Sequence, residues 1–169
     1  AQPVPNAERL LQVLEAIAAV DGIDRIRLGS LEPRIITDTF LERLSAIPQI
    51  CPHFHLSLQS GCDETLKRMN RRYDTEEFRE GVEKIRRYFD KPAITTDVIV
   101  GFPGETDEEF AITRKYLEEI NFFEMHVFKY SRRKGTIADR MENQIADSVK
   151  SERSDALIEL DEELSRAYR

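Results

Sequence analysis

Two stretches of this sequence pass from period-two alternation through a glycine turn into helical spacing, and that repeat constrains the fold more than any other feature. In His53-Phe-His-Leu-Ser-Leu-Gln59 the apolar Phe54, Leu56 and Leu58 alternate with His53, His55, Ser57 and Gln59, which puts the two sets on opposite faces of a strand. Gly61 ends the alternation, and Leu66 and Met69 follow at helical spacing. The pattern returns in Ile94–Gly101, where Val98 and Val100 oppose Asp97 before the turn Gly101-Phe-Pro-Gly104. Thr106-Asp-Glu-Glu109 then has the spacing of a capping box, in which Thr and Glu each satisfy a backbone donor at a helix start.

Around these two units the chain alternates helices and strands. Ala1–Asn6 reads as the end of a loop, and Leu10, Leu11, Leu14, Ile17 and Ala18 form an apolar stripe ending near Gly22. Ile23–Leu31 is rich in strand-forming residues and stops at Glu32-Pro33. Thr37 caps a helix carrying Phe40, Leu41 and Leu44, and Thr75 caps another with Phe78, Val82 and Ile85 inward. Glu124–Tyr130 is a further strand. From Ser148 onward, Leu157, Leu160 and Leu164 lie among many charges, which reads as one long solvated helix with its charges exposed.

Strands joined by helical crossovers imply a parallel α/β sheet with right-handed connections. A closed eight-stranded barrel fills its interior with aliphatic layers. Here the interior face would carry His53, His55, Ser57, Gln59, Asp97, Glu124 and His126. Burying such groups unpaired costs about 1–3 kcal/mol each, so the sequence predicts a partial, TIM-like barrel with an open polar lumen. Its expected division is a barrel portion over residues 1–147 and a terminal helix over 148–169. Because the chain opens on a helix, the expectation is the later part of a longer βα series.

Composition narrows the function classes. The 169 residues are 40% hydrophobic and 34% charged, with no apolar run near the roughly 18 residues a membrane span needs, so a cytoplasmic setting is expected. Cys51 and Cys62 lack C-x-x-C spacing and read as reduced thiols. The net charge of −7 argues against a surface that is nucleic-acid-binding throughout.

Glu32, Gln59, Arg71 and Asp97 fall towards the carboxyl ends of predicted strands or just beyond them, where parallel α/β folds place their sites. Carboxylates accept hydroxyls or an amine, Gln does both, and Arg grips a carboxylate, so a ligand with ribose, amine and carboxylate suits the set. The plain alternative makes Arg71 a helix-end surface charge and Glu32 a loop residue. Strand parity also groups Glu32 with Ile26 and Leu28, so it leaves that face only if the chain turns near Ser30. The Gly101–Thr106 turn lacks the Lys of a P-loop. The histidines lack a third ligand in sequence reach. Lys129, Arg132, Arg133 and Lys134, with Tyr130 interleaved, fit phosphates or a stacked base as well as they fit ordinary solvated charge.

Taken in order, Arg27-Leu-Gly-Ser-Leu-Glu-Pro33, Cys51-Pro-His-Phe-His-Leu-Ser-Leu-Gln-Ser-Gly61, Leu66-Lys-Arg-Met-Asn-Arg71, Asp97-Val-Ile-Val-Gly-Phe-Pro-Gly-Glu-Thr106, Tyr130-Ser131 and Gly135-Thr136 resemble the radical S-adenosylmethionine (SAM) methylthiotransferases. The wording is most similar to the branch acting on threonylcarbamoyladenosine in tRNA. The resemblance implies a six-stranded partial barrel holding SAM and a [4Fe–4S] cluster, an electron donor, and insertion of a methylthio group into an adenosine beside the anticodon. Carried over by position, Glu32 and Asp97 hold the amino and ribose end of SAM, Gln59 a ribose hydroxyl, and Arg71 the carboxylate. Arg132, Arg133 and Lys134 are expected to seat tRNA, and no side chain is assigned to the chemistry itself. The family's Cys-x3-Cys-x2-Cys run is not among these residues. The expectation is therefore a portion of the barrel that is inactive alone. Two alternatives stay open: another radical SAM enzyme sharing only the SAM pocket, such as a porphyrinogen oxidase relative, and a cluster-free binding module.

Overall fold

The computed structural model describes residues 5–168, so of the loop expected over Ala1–Asn6 residues 1–4 lie outside the described residues, whereas Pro5 and Asn6 already belong to a helix. Four strands, β1 (Ser30–Leu31), β2 (His53–Gln59), β3 (Ala93–Val100) and β4 (Glu124–Lys129), form a parallel sheet in the order β1-β2-β3-β4. α1 (Pro5–Ala18) precedes the sheet, α2 (Asp38–Ser45), α3 (Asp63–Arg68), α4 (Thr75–Tyr88) and α5 (Asp107–Ile120) lie in the crossovers between strands, and α6 (Ile137–Arg140) and α7 (Asp147–Tyr168) follow β4. The fold class is the expected one. Among the described residues no helix is long and apolar enough to cross a membrane. The chain forms two compact units.

The first unit comprises the chain through Ser57 together with Glu76–Ile94. Leu11 and Leu14 of α1 are buried, as are Phe40, Leu41 and Leu44 of α2. Arg43 of α2 ties the two helices together, reaching Glu8 at 2.7 Å and Glu15 at 2.8 Å. The Thr37 hydroxyl accepts the Phe40 N–H at 3.2 Å, the expected cap. Phe54 meets Phe89 edge-on at 4.8 Å. The expected strand over Ile23–Leu31 is much shorter. Ile26 makes only a single bridge to Ile50, and regular pairing is confined to Ser30↔His55 and Leu31↔Leu56. The physical reason is a parity shift. Ile26 and Leu28 are buried two apart, but the next buried residue is Leu31, so regular alternation fails across Gly29 and Ser30.

The second unit comprises Leu58–Thr75 and residues from Thr95 onward. Residues Thr95–Val100 of β3 pair in register with Glu124–Lys129 of β4. The capping box of α5 is complete, with Thr106 and Glu109 bonded reciprocally. Thr75 is the first residue of α4 rather than the residue before it, and its N–H donates to the Asp63 carboxylate at 2.8 Å. α7 packs along β4 and α5, and here the expectation of a wholly exposed charged face is corrected. Lys150 and Arg153, in phase with Leu157 and Leu160, are only 6% and 5% exposed. Both cysteines are free thiols, Cys62 buried and Cys51 half-buried.

Candidate functional site

The end of β2 is built by side chains rather than by the strand ladder alone. The Leu58 N–H donates to the Thr96 hydroxyl at 3.1 Å, and the Tyr73 hydroxyl donates to the Leu58 carbonyl at 2.9 Å. That carbonyl belongs to the peptide joining Leu58 to Gln59. Gln59 follows at φ 74°, in the left-handed region that a side chain rarely adopts. A backbone held there is over-determined by its surroundings, as at many functional positions. The alternation that sets His53, His55 and Ser57 half-buried opposite buried Phe54 and Leu56 therefore stops one residue early. Gln59 is 8% exposed, more buried than His53, His55 and Ser57 before it.

The turn after Gln59 is equally specified. A Cβ on Gly61 would meet Tyr116 Cδ1 at 2.9 Å and the Thr113 backbone at 3.1 Å, so only glycine lets the chain pass. Ser60 bonds the Cys62 N–H at 3.2 Å, and Tyr116 donates to the Thr75 carbonyl at 2.7 Å. Two residues beyond the end of α3, Asn70 is left-handed at φ 57°. The Asn70 N–H returns to the Lys67 carbonyl and the Arg71 N–H to the Leu66 carbonyl, both at 2.9 Å, a glycine-type helix stop carried by asparagine. Arg71 is thereby placed in the first turn of chain beyond α3, exposed, with its guanidinium in no ion pair among the described residues.

Asp97 lies in the interior of β3, half-buried, and faces His126 of β4 in register. Val98 and Val100 are buried on the opposite face, as expected. Gln59, Arg71 and Asp97 belong to the second unit. Glu32 belongs to the first, where it precedes the short 3-10 turn Pro33–Ile35 and is exposed, released from the face of Ile26 and Leu28 by the parity shift.

The Gly101–Thr106 turn is held from behind by α7. Glu105 is buried, and its carboxylate accepts the Gly101 N–H at 2.9 Å and Arg153 at 2.7 Å. Arg153 also reaches the Glu105 carbonyl at 3.1 Å and Asp107 at 2.7 Å. Burial pushes the Glu105 carboxyl upward, against the pull of the Gly101 N–H and the Arg153 guanidinium. Sequence reasoning missed this clamp and the Tyr73 and Thr96 supports. The signal for Arg153 was its phase with Leu157 and Leu160; nothing in the spacing of Tyr73 or Thr96 marks them as supports.

Arg132, Arg133 and Lys134 follow β4 and are exposed. Arg132 is tied to the Asp139 carboxylate at 3.0 Å, whereas Arg133 and Lys134 make no ion pair among the described residues. The Lys150 ammonium lies 5.7 Å above the Tyr130 ring, and Phe102 meets that ring edge-on at 5.3 Å. Base stacking on Tyr130 therefore loses the face that the ammonium covers.

Several known proteins are similar to this sequence. A threonylcarbamoyladenosine tRNA methylthiotransferase of Bacillus subtilis, MtaB, is 44% identical over 96% of this chain and 36% of its own length. The Thermotoga maritima MtaB is 42% identical over 95% and 37%. A tRNA-2-methylthio-N(6)-dimethylallyladenosine synthase of Thermobifida fusca is 44% identical over 91% and 31%. The chain spans about a third of the length of these curated relatives. Among solved structures, coproporphyrinogen III oxidase (HemN) from Escherichia coli, described as a radical SAM enzyme, superposes with a TM-score of 0.72 at 22% identity, covering 93% of this chain and 36% of that one. That likeness shows the fold, with parallel strands and helical crossovers consistent with a partial barrel. The family model described as the radical SAM superfamily matches residues 3–117, well over half of the sequence and inclusive of β1, β2, β3 and the turns that follow them, and so the chain belongs to the radical SAM superfamily.

Proposed function

We propose that this chain is part of an enzyme that inserts a methylthio group into an adenosine of tRNA beside the anticodon. The observation that carries the reading is the 44% identity to a tRNA methylthiotransferase across 96% of the chain. The donor set fits SAM. Asp97 offers a half-buried acceptor for a ribose hydroxyl or an ammonium, and Gln59 an amide that both donates and accepts. Arg71 has a guanidinium in no ion pair among the described residues, suited to bidentate carboxylate binding. Glu32 is assigned to the amino end of the same ligand on the sequence resemblance alone.

Bound SAM would supply a cleavable sulfonium bond and a transferable methyl group. The chain's own residues orient it: Tyr73 holds the carbonyl of the peptide before Gln59, Thr96 holds the Leu58 N–H, and the Glu105–Arg153 clamp fixes the turn after β3. Cys51 and Cys62 do not fit a [4Fe–4S] cluster, which is held by cysteine thiolates in larger number, so no step is routed through one. Arg132, Arg133 and Lys134 serve as backbone contacts to the RNA, which position rather than specify.

The test is nucleoside mass spectrometry of tRNA from cells lacking the gene. The methylthioadenosine should vanish, return with the wild-type gene, and stay absent with Asp97→Asn. An unchanged nucleoside profile in the deletion strain would refute the reading.

A further inference from the structure

Next to the exposed cations lies a cavity that shares only Arg132 with the roles assigned above. It measures about 590 Å³ and is walled by Lys129 to Arg132 from the end of β4 and by Asp147, Lys150 and Ser151 from the first turns of α7. We propose that this cavity binds a phosphate group of the RNA backbone, an inference that rests on the tRNA reading above.

Its cations are already placed. Lys150 is 6% exposed, and its aliphatic stem lies against Gly101, whose left-handed turn at φ 71° would put a Cβ 2.3 Å from the Lys150 Cγ. The ammonium is thereby held 3.0 Å from the Asp147 carboxylate and over the Tyr130 ring. Lys129 reaches the Ser151 hydroxyl at 3.4 Å, and Arg132 is fixed by the Asp139 carboxylate and carbonyl. Groups ordered before the ligand arrives lose little freedom on binding it.

A further observation points to an anion. The chain carries a net charge of −7, yet here Lys129, Arg132, Arg133, Lys134 and Lys150 outnumber Asp139 and Asp147. The Asp147 side chain is 96% exposed, so its hold on Lys150 is screened and an incoming anion can displace it. The cavity is larger than a lone phosphate ion requires, and Arg133 and Lys134 continue the positive track along the chain, which favours a phosphodiester over free phosphate.

The experiment titrates the 15N-labelled chain with an anticodon stem-loop RNA and, separately, with inorganic phosphate. RNA should produce saturating amide shifts at Ser131 and Ser151. Lys129→Met should weaken binding about two- to fivefold and lower the salt slope by roughly 0.7–0.9. Lys150→Met keeps the packed stem and should act in the same direction. Asp147→Asn should tighten binding, which loss of a merely structural ion pair would not do. Should Lys150→Met fail to fold, the exposed Lys129 and Asp147 carry the test. Unchanged affinity and salt slope in Lys129→Met, or no tightening in Asp147→Asn, would overturn the site. Saturating shifts with inorganic phosphate but none with RNA would overturn the RNA assignment. Loss of the cavity effect while the nucleoside assay stands refutes this site alone; the reverse result refutes the reaction alone.

Discussion

Replacing Arg153 by Leu should be among the most damaging single changes available in α7, and its pH dependence identifies the cause. The guanidinium has a side-chain exposure of 6% and faces a Glu105 carboxylate exposed by 1%. Removing one partner of a buried pair leaves an uncompensated charge and costs about 3–5 kcal/mol. For a chain of this length, where 1 kcal/mol moves the midpoint by about 2–4 °C, the melting temperature should fall by roughly 10 °C. Glu105 already titrates above its ordinary range because it is buried, with Arg153 and the Gly101 N–H pulling it back. Without Arg153 the folded-state pKa rises further above the unfolded value. A carboxyl raised in the folded state binds more protons folded than unfolded, so stability is lost as pH rises through that window and recovered as pH falls. Urea melts of both proteins at pH 7 and pH 5 should therefore show a deficit that shrinks at the lower pH. Glu105→Gln in the Arg153→Leu background should restore part of the loss at pH 7. A deficit that is the same at both pH values and untouched by Glu105→Gln would refute the clamp.

Three other outcomes are expected. Tyr73→Phe leaves the buried Leu58 carbonyl without its donor, costing about 1–3 kcal/mol in a thermal melt, and should lower methylthioadenosine formation by misplacing Gln59; full activity would dismiss Tyr73 as a support. Gln59→Gly relieves a left-handed side-chain residue and should stabilise the chain by up to about 1 kcal/mol while abolishing modification in complemented cells. Anaerobic reconstitution of the 169-residue chain with iron and sulfide should leave no [4Fe–4S] absorbance after desalting, since only two cysteines are present; four irons retained per chain would show that those cysteines are ligands.

Much of this fold was legible because its signals are local. The alternation in β2, the capping box at Thr106 and the Thr37 cap each involve residues within four positions, and each formed where the spacing placed it. β1 was not legible in length. Strand-forming residues run from Ile23 to Leu31, but regular pairing is confined to Ser30 and Leu31, and no property of one segment reveals how far a partner will follow it. The same limit hid the charges of α7. Lys150 and Arg153 read as solvent-facing because charged side chains usually are, and only a carboxylate 48 residues away in sequence makes burial of Arg153 tolerable.

For the site, the residue types were readable and their backbone was not. A polar face on β2 followed from parity, and parity also assigned Gln59 to that face. It is Tyr73, fourteen residues further on, that donates to the carbonyl of the peptide before Gln59, whose backbone takes a left-handed conformation no strand pattern predicts. The Leu58–Gln59 peptide is fixed on one side by a hydroxyl from the loop after α3, while the Leu58 N–H is fixed by Thr96 of β3. Side chains that support a ligand-facing residue from behind carry no periodicity of their own, because each answers to a single backbone group. Such supports become visible when every buried N–H and C=O is asked for its partner, and at the end of β2 that question leads to Tyr73 and Thr96.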